Sequence, residues 1–250
     1  MQPIRAVLFD IGDTLWHSDA APPAEEFRRL AAERCDAVLS QFGIHHPDPG
    51  LVARAAWLAL ENAMKRARET DLIEPDYGAV TRVALRELGL PVRKAQAARL
   101  LEATYISGSE GGKAPFEDAA STLLELRKRG FLLGAVTNRA FGGERFRSDL
   151  RDAGLDIGWD CESVSVEVGF LKPHPALFQH AMRTLGVSAK ETLMVGNSLA
   201  EDIAGAQRLG IRAAWRKSPP DAEDVSPDFT FEELAELLEY EPLRGTANGR

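Results

Sequence analysis

A run of four apolar residues, Ala6-Val7-Leu8-Phe9, ends on a carboxylate, Asp10, and passes at once into Ile11-Gly12-Asp13-Thr14-Leu15. Unbroken apolar positions read as a strand buried on both faces, the habit of parallel sheets covered by helices. The polar turn that follows ends this strand at Asp10. Open α/β sheets bind ligands outside the carboxyl ends of their strands, and a glycine at position 12 lets backbone groups approach whatever binds there. A metal or phosphate site and a capped surface turn both fit this stretch taken alone.

The remainder of the chain bounds the choice. Its 250 residues, 44% hydrophobic and 27% charged, can bury a substantial core. A formal charge of −8 argues against a nucleic-acid or anionic-membrane surface and points to a small solute as partner. Cys35 and Cys161, far apart and in no metal-like spacing, fit two free thiols in a reducing compartment. No charged leader precedes an apolar core at the N-terminus, and no run approaches the ~18 apolar residues of a membrane span, so a cytoplasmic protein is expected.

Helical spacing dominates after the first strand. Phe27, Ala31, Cys35, Val38 and Phe42 repeat at that spacing and stop at Gly43. Leu51 to Glu69 reads as a second helix with Ala55, Leu58 and Asn62 on one side; Asp76 to Leu88 and Val92 to Tyr105 add two more. A small-residue stretch, 107–115, closes this insertion. Then α/β rhythm returns: a helix over Asp118 to Arg129, a strand over Phe131 to Val136, a weaker strand over Ser163 to Val168, a short strand over Thr192 to Val195 and a last one over Ile211 to Trp215. Beyond Ser218 the chain is proline-rich and acidic, then helical through Leu238, with a disordered tail. The expected organisation is a doubly wound (Rossmann-like) parallel sheet core in 1–18 and 112–240, an all-helical cap in 19–111, and a tail in 241–250.

A parallel sheet sends its strand ends to one edge, and three of these ends carry chemistry. Asp10 follows the first strand, Thr137-Asn138 the next, and Asn197 with Asp202 a later one, while Lys172 starts a helix between them. A carboxylate, hydroxyl and amide donors, one lysine and a second acidic site suit phosphoryl transfer through an aspartyl-phosphate. Asp10 would be the nucleophile, Thr137 and nearby backbone amides would hold phosphate oxygens, and Lys172 would neutralise charge. As plain residues, Lys172 would be a solvated loop lysine, Asp202 a helix N-terminal carboxylate, Thr14 a turn hydroxyl and His174 a helix cap.

In order and spacing, Phe9-Asp10-Ile11-Gly12-Asp13-Thr14-Leu15, Val136-Thr137-Asn138, Leu171-Lys172-Pro173-His174-Pro175 and Val195-Gly196-Asn197-Ser198 through Asp202-Ile203 resemble the four motifs of the haloacid dehalogenase superfamily of hydrolases. The helical insertion resembles the cap of its phosphoglycolate-phosphatase-like branch. The resemblance implies a Rossmann-like core, a mobile cap, Mg2+ held at Asp10, the Gly12 carbonyl, Asn197 and Asp202, substrate phosphate held at Thr137, Asn138 and Lys172, and most often phosphatase activity.

Two positions depart from that pattern. The family's phosphatases usually carry an acid/base aspartate two residues after the nucleophile, where this chain has Gly12. General acid–base help is worth about 10² to 10⁴ in rate, so ester hydrolysis without it faces a barrier higher by ~3 to 5 kcal/mol. Asp13, one position late, is the candidate substitute. Asn197 stands where a magnesium-binding aspartate is more usual, which lowers the expected metal affinity. The expected activity is a magnesium-dependent phosphatase acting on a small phosphorylated metabolite, slow or limited to activated leaving groups such as acyl or aryl phosphates. The alternatives are a 2-haloacid dehalogenase-type hydrolase and a catalytically weakened phosphate-binding protein. Arg28, Trp57, Asn62, Arg66 and Arg139 are candidates to face the substrate, and the chain is expected as a monomer or homodimer.

Overall fold

The computed structural model describes residues 2–45, 48–218 and 225–246; His46 and the tail residues 247–250 lie outside them. The chain divides into two compact units, Ala20–Gly112 and the pair of segments Met1–Asp19 and Lys113–Arg250.

Four helices make the inserted unit: α1 (Ala24–Gln41), α2 (Pro49–Glu69), α3 (Tyr77–Glu87) and α4 (Lys94–Ala103). Their ends follow local chemistry. The Asp48 carboxylate accepts the Leu51 N–H at 3.0 Å with Pro49 in the first turn, and Asp76 accepts the Ala79 N–H at 3.0 Å. Cys35, Leu39, Val52, Leu85, Ala97 and Leu100 pack together as its core. The buried stripe of α2 is Val52, Ala53, Ala56 and Leu60, whereas Leu58 is 42% exposed. This corrects the face read from Ala55, Leu58 and Asn62. Alanines surround this helix, so apolar spacing alone does not select the packed side. At the unit's last residue, Gly112 has φ +65°, and a Cβ there would collide with the Ala20 carbonyl. Only glycine lets the outgoing and returning chain run so close.

The other unit is built on a six-stranded parallel sheet. Its strands are β1 (Ala6–Phe9), β4 (Leu132–Thr137), β5 (Cys161–Val164), β6 (Thr192–Gly196), β7 (Arg212–Arg216) and β8 (Phe229–Phe231), in the order β5-β4-β1-β6-β7-β8. A short antiparallel ribbon of β2 (Trp16–His17) and β3 (Ala114–Pro115) joins the two segments of the unit. Alternate residues of β1 enter different cores. Val7 and Phe9 pack with Leu123 and Leu126 of α5 (Ala119–Lys128) and Phe146 and Leu150 of α6 (Gly143–Asp152). Leu8 packs on the opposite face with Leu177, Phe178 and Ala181 of α8 (Pro175–Leu185). Helices therefore cover both faces, as the apolar run requires.

Three expectations change. Ser163 to Val168 is not a strand throughout: β5 ends at Val164 and Ser165–Val168 forms the helical turn α7, stopped by Gly169 at φ +89°. The stretch expected to be helical through Leu238 contains β8, whose Phe231 is buried, before a 3₁₀ turn over Leu234–Glu239. A three-residue strand is too short to show a period. Finally, Glu241–Arg244 forms a helical turn with Leu243 fully buried.

Candidate active site

The chain leaves β1 for β4 and β5 on one side, then returns to β6 on the other. Connections diverge between β1 and β6, the topological switch point where doubly wound sheets bind ligands. Asp10 directly follows β1, and Asn197 directly follows β6. The Asp10 N–H donates to the Val195 carbonyl at 2.9 Å, which continues the ladder by one residue and fixes the carboxylate at the edge.

Lys172 is the centre of the cluster. It is 1% exposed, and its ammonium donates to Asp10 Oδ1 at 2.5 Å, Asp202 Oδ1 at 2.7 Å and the Val136 carbonyl at 2.8 Å. All three of its donors are satisfied. Burial on its own would drive this ammonium down, but the Asp10 and Asp202 carboxylates outweigh burial and hold it above its usual range. Burial raises the Asp202 carboxyl; Lys172 pulls it back in part, and the Asp10 charge adds to the rise.

Asp202 reaches Lys172 because of a wide turn. Over Leu199–Ala204 the helix is π-type, with the Ile203 N–H donating to the Ser198 carbonyl at 3.2 Å. The second carboxylate oxygen, Asp202 Oδ2, accepts the Ser198 N–H at 3.0 Å. A Cβ on Gly196 would overlap that carboxylate, so glycine at the end of β6 makes room for it. Trp215 of β7 donates its indole N–H to the Asn197 carbonyl at 2.9 Å and pins the start of the turn.

Thr14 does more than stabilise its turn. It is fully buried, and its hydroxyl lies 3.3 Å from Asp10 Oδ2 and 3.2 Å from Asn197 Oδ1. One hydroxyl proton serves both acceptors at long range, so two hard oxygens converge with little to hold them. Two carboxylates against one ammonium also leave a net negative charge on this cluster. Both features fit a divalent cation bound through oxygen. Among the described residues no three His, Cys, Asp or Glu side chains gather as a metal cage.

The other expected residues fall as follows. Thr137 ends β4, 4% exposed. The Asn138 side chain is committed to Lys172: its Oδ1 accepts the Lys172 N–H at 2.7 Å, and its Nδ2 donates to the Lys172 carbonyl at 3.2 Å and to Glu201 Oε2 at 3.0 Å. Gly12 is exposed, with no atom within 4 Å of where a Cβ would stand. Asp13 is exposed at φ +55°; its N–H donates to the Trp16 carbonyl at 2.8 Å, and its own carbonyl accepts from Arg216 at 3.2 Å. These features are those of a turn residue in the left-handed region that Asp tolerates. His174 caps α8, its Nδ1 accepting the Ala176 N–H at 3.2 Å. Arg139 pairs with the buried Asp149 and lies over the rings of Trp16 and Phe146 at 5.5 and 5.1 Å. Sequence reasoning missed Glu201 and undervalued Thr14; the spacing of Glu201 beside Asp202 carried no sign of its reach to Asn138.

A family model described as haloacid dehalogenase-like hydrolase matches residues 4–210. The chain is 31% identical over 243 residues to a glyceraldehyde 3-phosphate phosphatase from Methanopyrus kandleri, covering 94% of this chain and 96% of that one. It is 32% identical over 212 residues to a phosphoserine phosphatase from Thermus thermophilus, covering 83% and 76%. Among solved structures it resembles a 2-haloacid dehalogenase from Pseudomonas syringae pv. Tomato DC3000, with a TM-score of 0.63, 25% identity and coverage of 94% and 97%.

Proposed function

The chain belongs to the haloacid dehalogenase-like hydrolases, and from that premise we propose that it is a magnesium-dependent phosphatase of small phosphorylated metabolites working through Asp10. The observation that carries this reading is the buried Asp10–Lys172–Asp202 cluster at the sheet's switch point. Relatives spanning most of the chain and named as phosphatases support it.

An oxygen of Asp10 attacks phosphorus, a bond forms between them, and the ester P–O bond breaks with its electron pair leaving on the substrate oxygen. The Thr137 hydroxyl and the main-chain N–H of Asn138 hold phosphoryl oxygens, and the Lys172 ammonium offsets charge that builds there. Water then cleaves the aspartyl-phosphate, which releases inorganic phosphate and restores the carboxylate. Asp10, Asp202, Asn197 and the Gly12 carbonyl would hold Mg2+, which when bound neutralises phosphoryl charge. With Gly12 in place of an acid, the leaving group departs without a proton from that position. Acyl and aryl phosphates, whose leaving groups need little protonation, are therefore the preferred substrates.

A second reading, hydrolysis of a carbon–halogen bond, draws on Gly12 and Asn197 and on the likeness to the dehalogenase structure. It needs neither an acid nor a metal. One experiment separates them: release of phosphate from an aryl and an acyl phosphate, with and without Mg2+, in the parent and Asp10→Asn. Magnesium-dependent turnover abolished by Asp10→Asn is expected. Turnover no higher than the Asp10→Asn background on both substrates overturns the phosphatase, and halide release from a 2-haloacid then tests the second reading.

A further inference from the structure

We propose that Glu201 is a positioning residue for Lys172, acting through the side-chain amide of Asn138. The inference rests on the reading above only in taking Lys172 to serve the reaction at Asp10. Among the described residues, Asn138 is the hydrogen-bond partner of both main-chain groups of Lys172, accepting its N–H at 2.7 Å and donating to its carbonyl at 3.2 Å. A carboxamide has two orientations related by a flip about its last torsion, and they are nearly equal in shape. Flipped, this one would set N–H against N–H and oxygen against oxygen, and both bonds to Lys172 would be lost. Glu201 reinforces the orientation that these two bonds select. Its Oε2 lies 3.0 Å from Asn138 Nδ2 and can only accept, so the amide nitrogen must face it, and the carbonyl oxygen is left for Lys172.

The same turn of chain therefore holds Lys172 at two places. Asp202 takes the ammonium at 2.7 Å, and Glu201, one residue earlier, orients the amide that grips the main chain. The Glu201 N–H is itself fixed by the Ser198 hydroxyl at 3.1 Å. Ser198 also accepts, through its carbonyl, the Asp202 and Ile203 N–H groups at 3.0 and 3.2 Å, which is the widened geometry of this turn. Glu201 needs no contact with substrate in this role; it sets where the Lys172 stem begins.

The test uses the full chain with Glu201→Ala, Glu201→Gln, Asn138→Ala and the Glu201→Ala/Asn138→Ala pair. Small misplacements of a catalytic group cost up to about 10² in rate, so Glu201→Ala is expected to lower kcat about tenfold with KM changed less than about twofold. Glu201→Gln, which can accept or donate, should fall between parent and Ala. Because both act through one amide, the double variant should be no slower than Asn138→Ala alone. A kcat within about twofold of the parent in Glu201→Ala, or losses that multiply in the double variant, overturns the proposal. Hydrogen exchange at the Lys172 amide reads the same link without turnover: about tenfold faster exchange in Glu201→Ala is expected, and unchanged exchange refutes it. An inactive parent would defeat the phosphatase reading while leaving this exchange result to decide the role of Glu201.

Discussion

Lys172 and Asp10 form an ion pair of 2.5 Å in which the two side chains are only 2% and 11% exposed. With Asp202 beside them, this one ammonium compensates two carboxylates. Replacing it by an apolar chain of similar length leaves both charges buried without a cation, so Lys172→Met is expected to destabilise the fold by about 3 to 5 kcal/mol and to abolish turnover. Loss of the ammonium removes the pull that holds the Asp202 carboxyl down against burial, and protonating that carboxyl relieves the repulsion. The stability deficit should therefore shrink as pH falls from 8 towards 5. Urea unfolding of parent and variant across that range checks the size and the sign; a deficit that grows on acidification contradicts the assignment.

Gly12 is the position at which chemistry can be restored. No atom lies within 4 Å of a Cβ built there, and its backbone is not in the left-handed region, so a side chain fits without strain. Gly12→Asp is expected to speed hydrolysis of unactivated alkyl phosphates by about 10² or more while changing aryl phosphates less, because an acid helps most where the leaving group is most basic. Asp13→Asn should change either rate less than about threefold, given the turn role of that residue. Steady-state rates on an alkyl and an aryl phosphate decide both points. A collapse of turnover in Asp13→Asn would make Asp13 the acid.

The strands that carry this chemistry were legible because each is written twice, as an apolar run and as the polar residues that end it. Ala6–Phe9 into Asp10 and Thr192–Gly196 into Asn197 are such cases. The first cap helix was legible from the spacing of Phe27, Ala31, Cys35, Val38 and Phe42 and the stop at Gly43, but the packed face of α2 was not, since alanines give it several equivalent stripes. The links that tie the site together escape a linear reading. Thr14 meets Asn197, and Glu201 meets Asn138, only because the sheet order brings β1, β4 and β6 side by side. The wide turn at Leu199–Ala204, which turns two successive acids inward, leaves no periodic mark either.

In the proposed metal site Asn197 would present an uncharged oxygen, 3.2 Å from the Thr14 hydroxyl that also faces Asp10 Oδ2. Asn197→Asp adds a carboxylate to a cluster that already carries excess negative charge. Without metal this repulsion should lower Tm; with metal it should strengthen binding, since affinity for hard cations rises with ligand charge. The expected result is a lower Tm in chelator, a larger rise on adding Mg2+, and an apparent magnesium constant about tenfold lower in the phosphatase assay. Thermal melts with and without Mg2+ give the first two even where turnover is slow. A magnesium response equal to the parent's would remove Asn197 from the metal site.

Cys35 gives the helical unit an alkaline weakness. The thiol is fully buried, its Sγ lies 3.6 Å from the Leu100 carbonyl, and burial pushes it up to about 12. An unfolded cysteine titrates near about 8.5. Between those values the unfolded chain releases a proton that the folded unit keeps, so the unfolded state binds fewer protons and stability falls as pH rises. By pH 10 this amounts to about 2 kcal/mol, at about 1.4 kcal/mol for each pH unit above the unfolded value. Cys35→Ala should remove that slope in urea unfolding between pH 8 and pH 10, while part of the decline persists through Cys161, whose thiol burial also raises. At pH 8 iodoacetamide should leave native Cys35 unmodified and label it once urea has unfolded the chain. Labelling of the native protein at the unfolded rate would show that the thiol is not held in the packed core of the four helices.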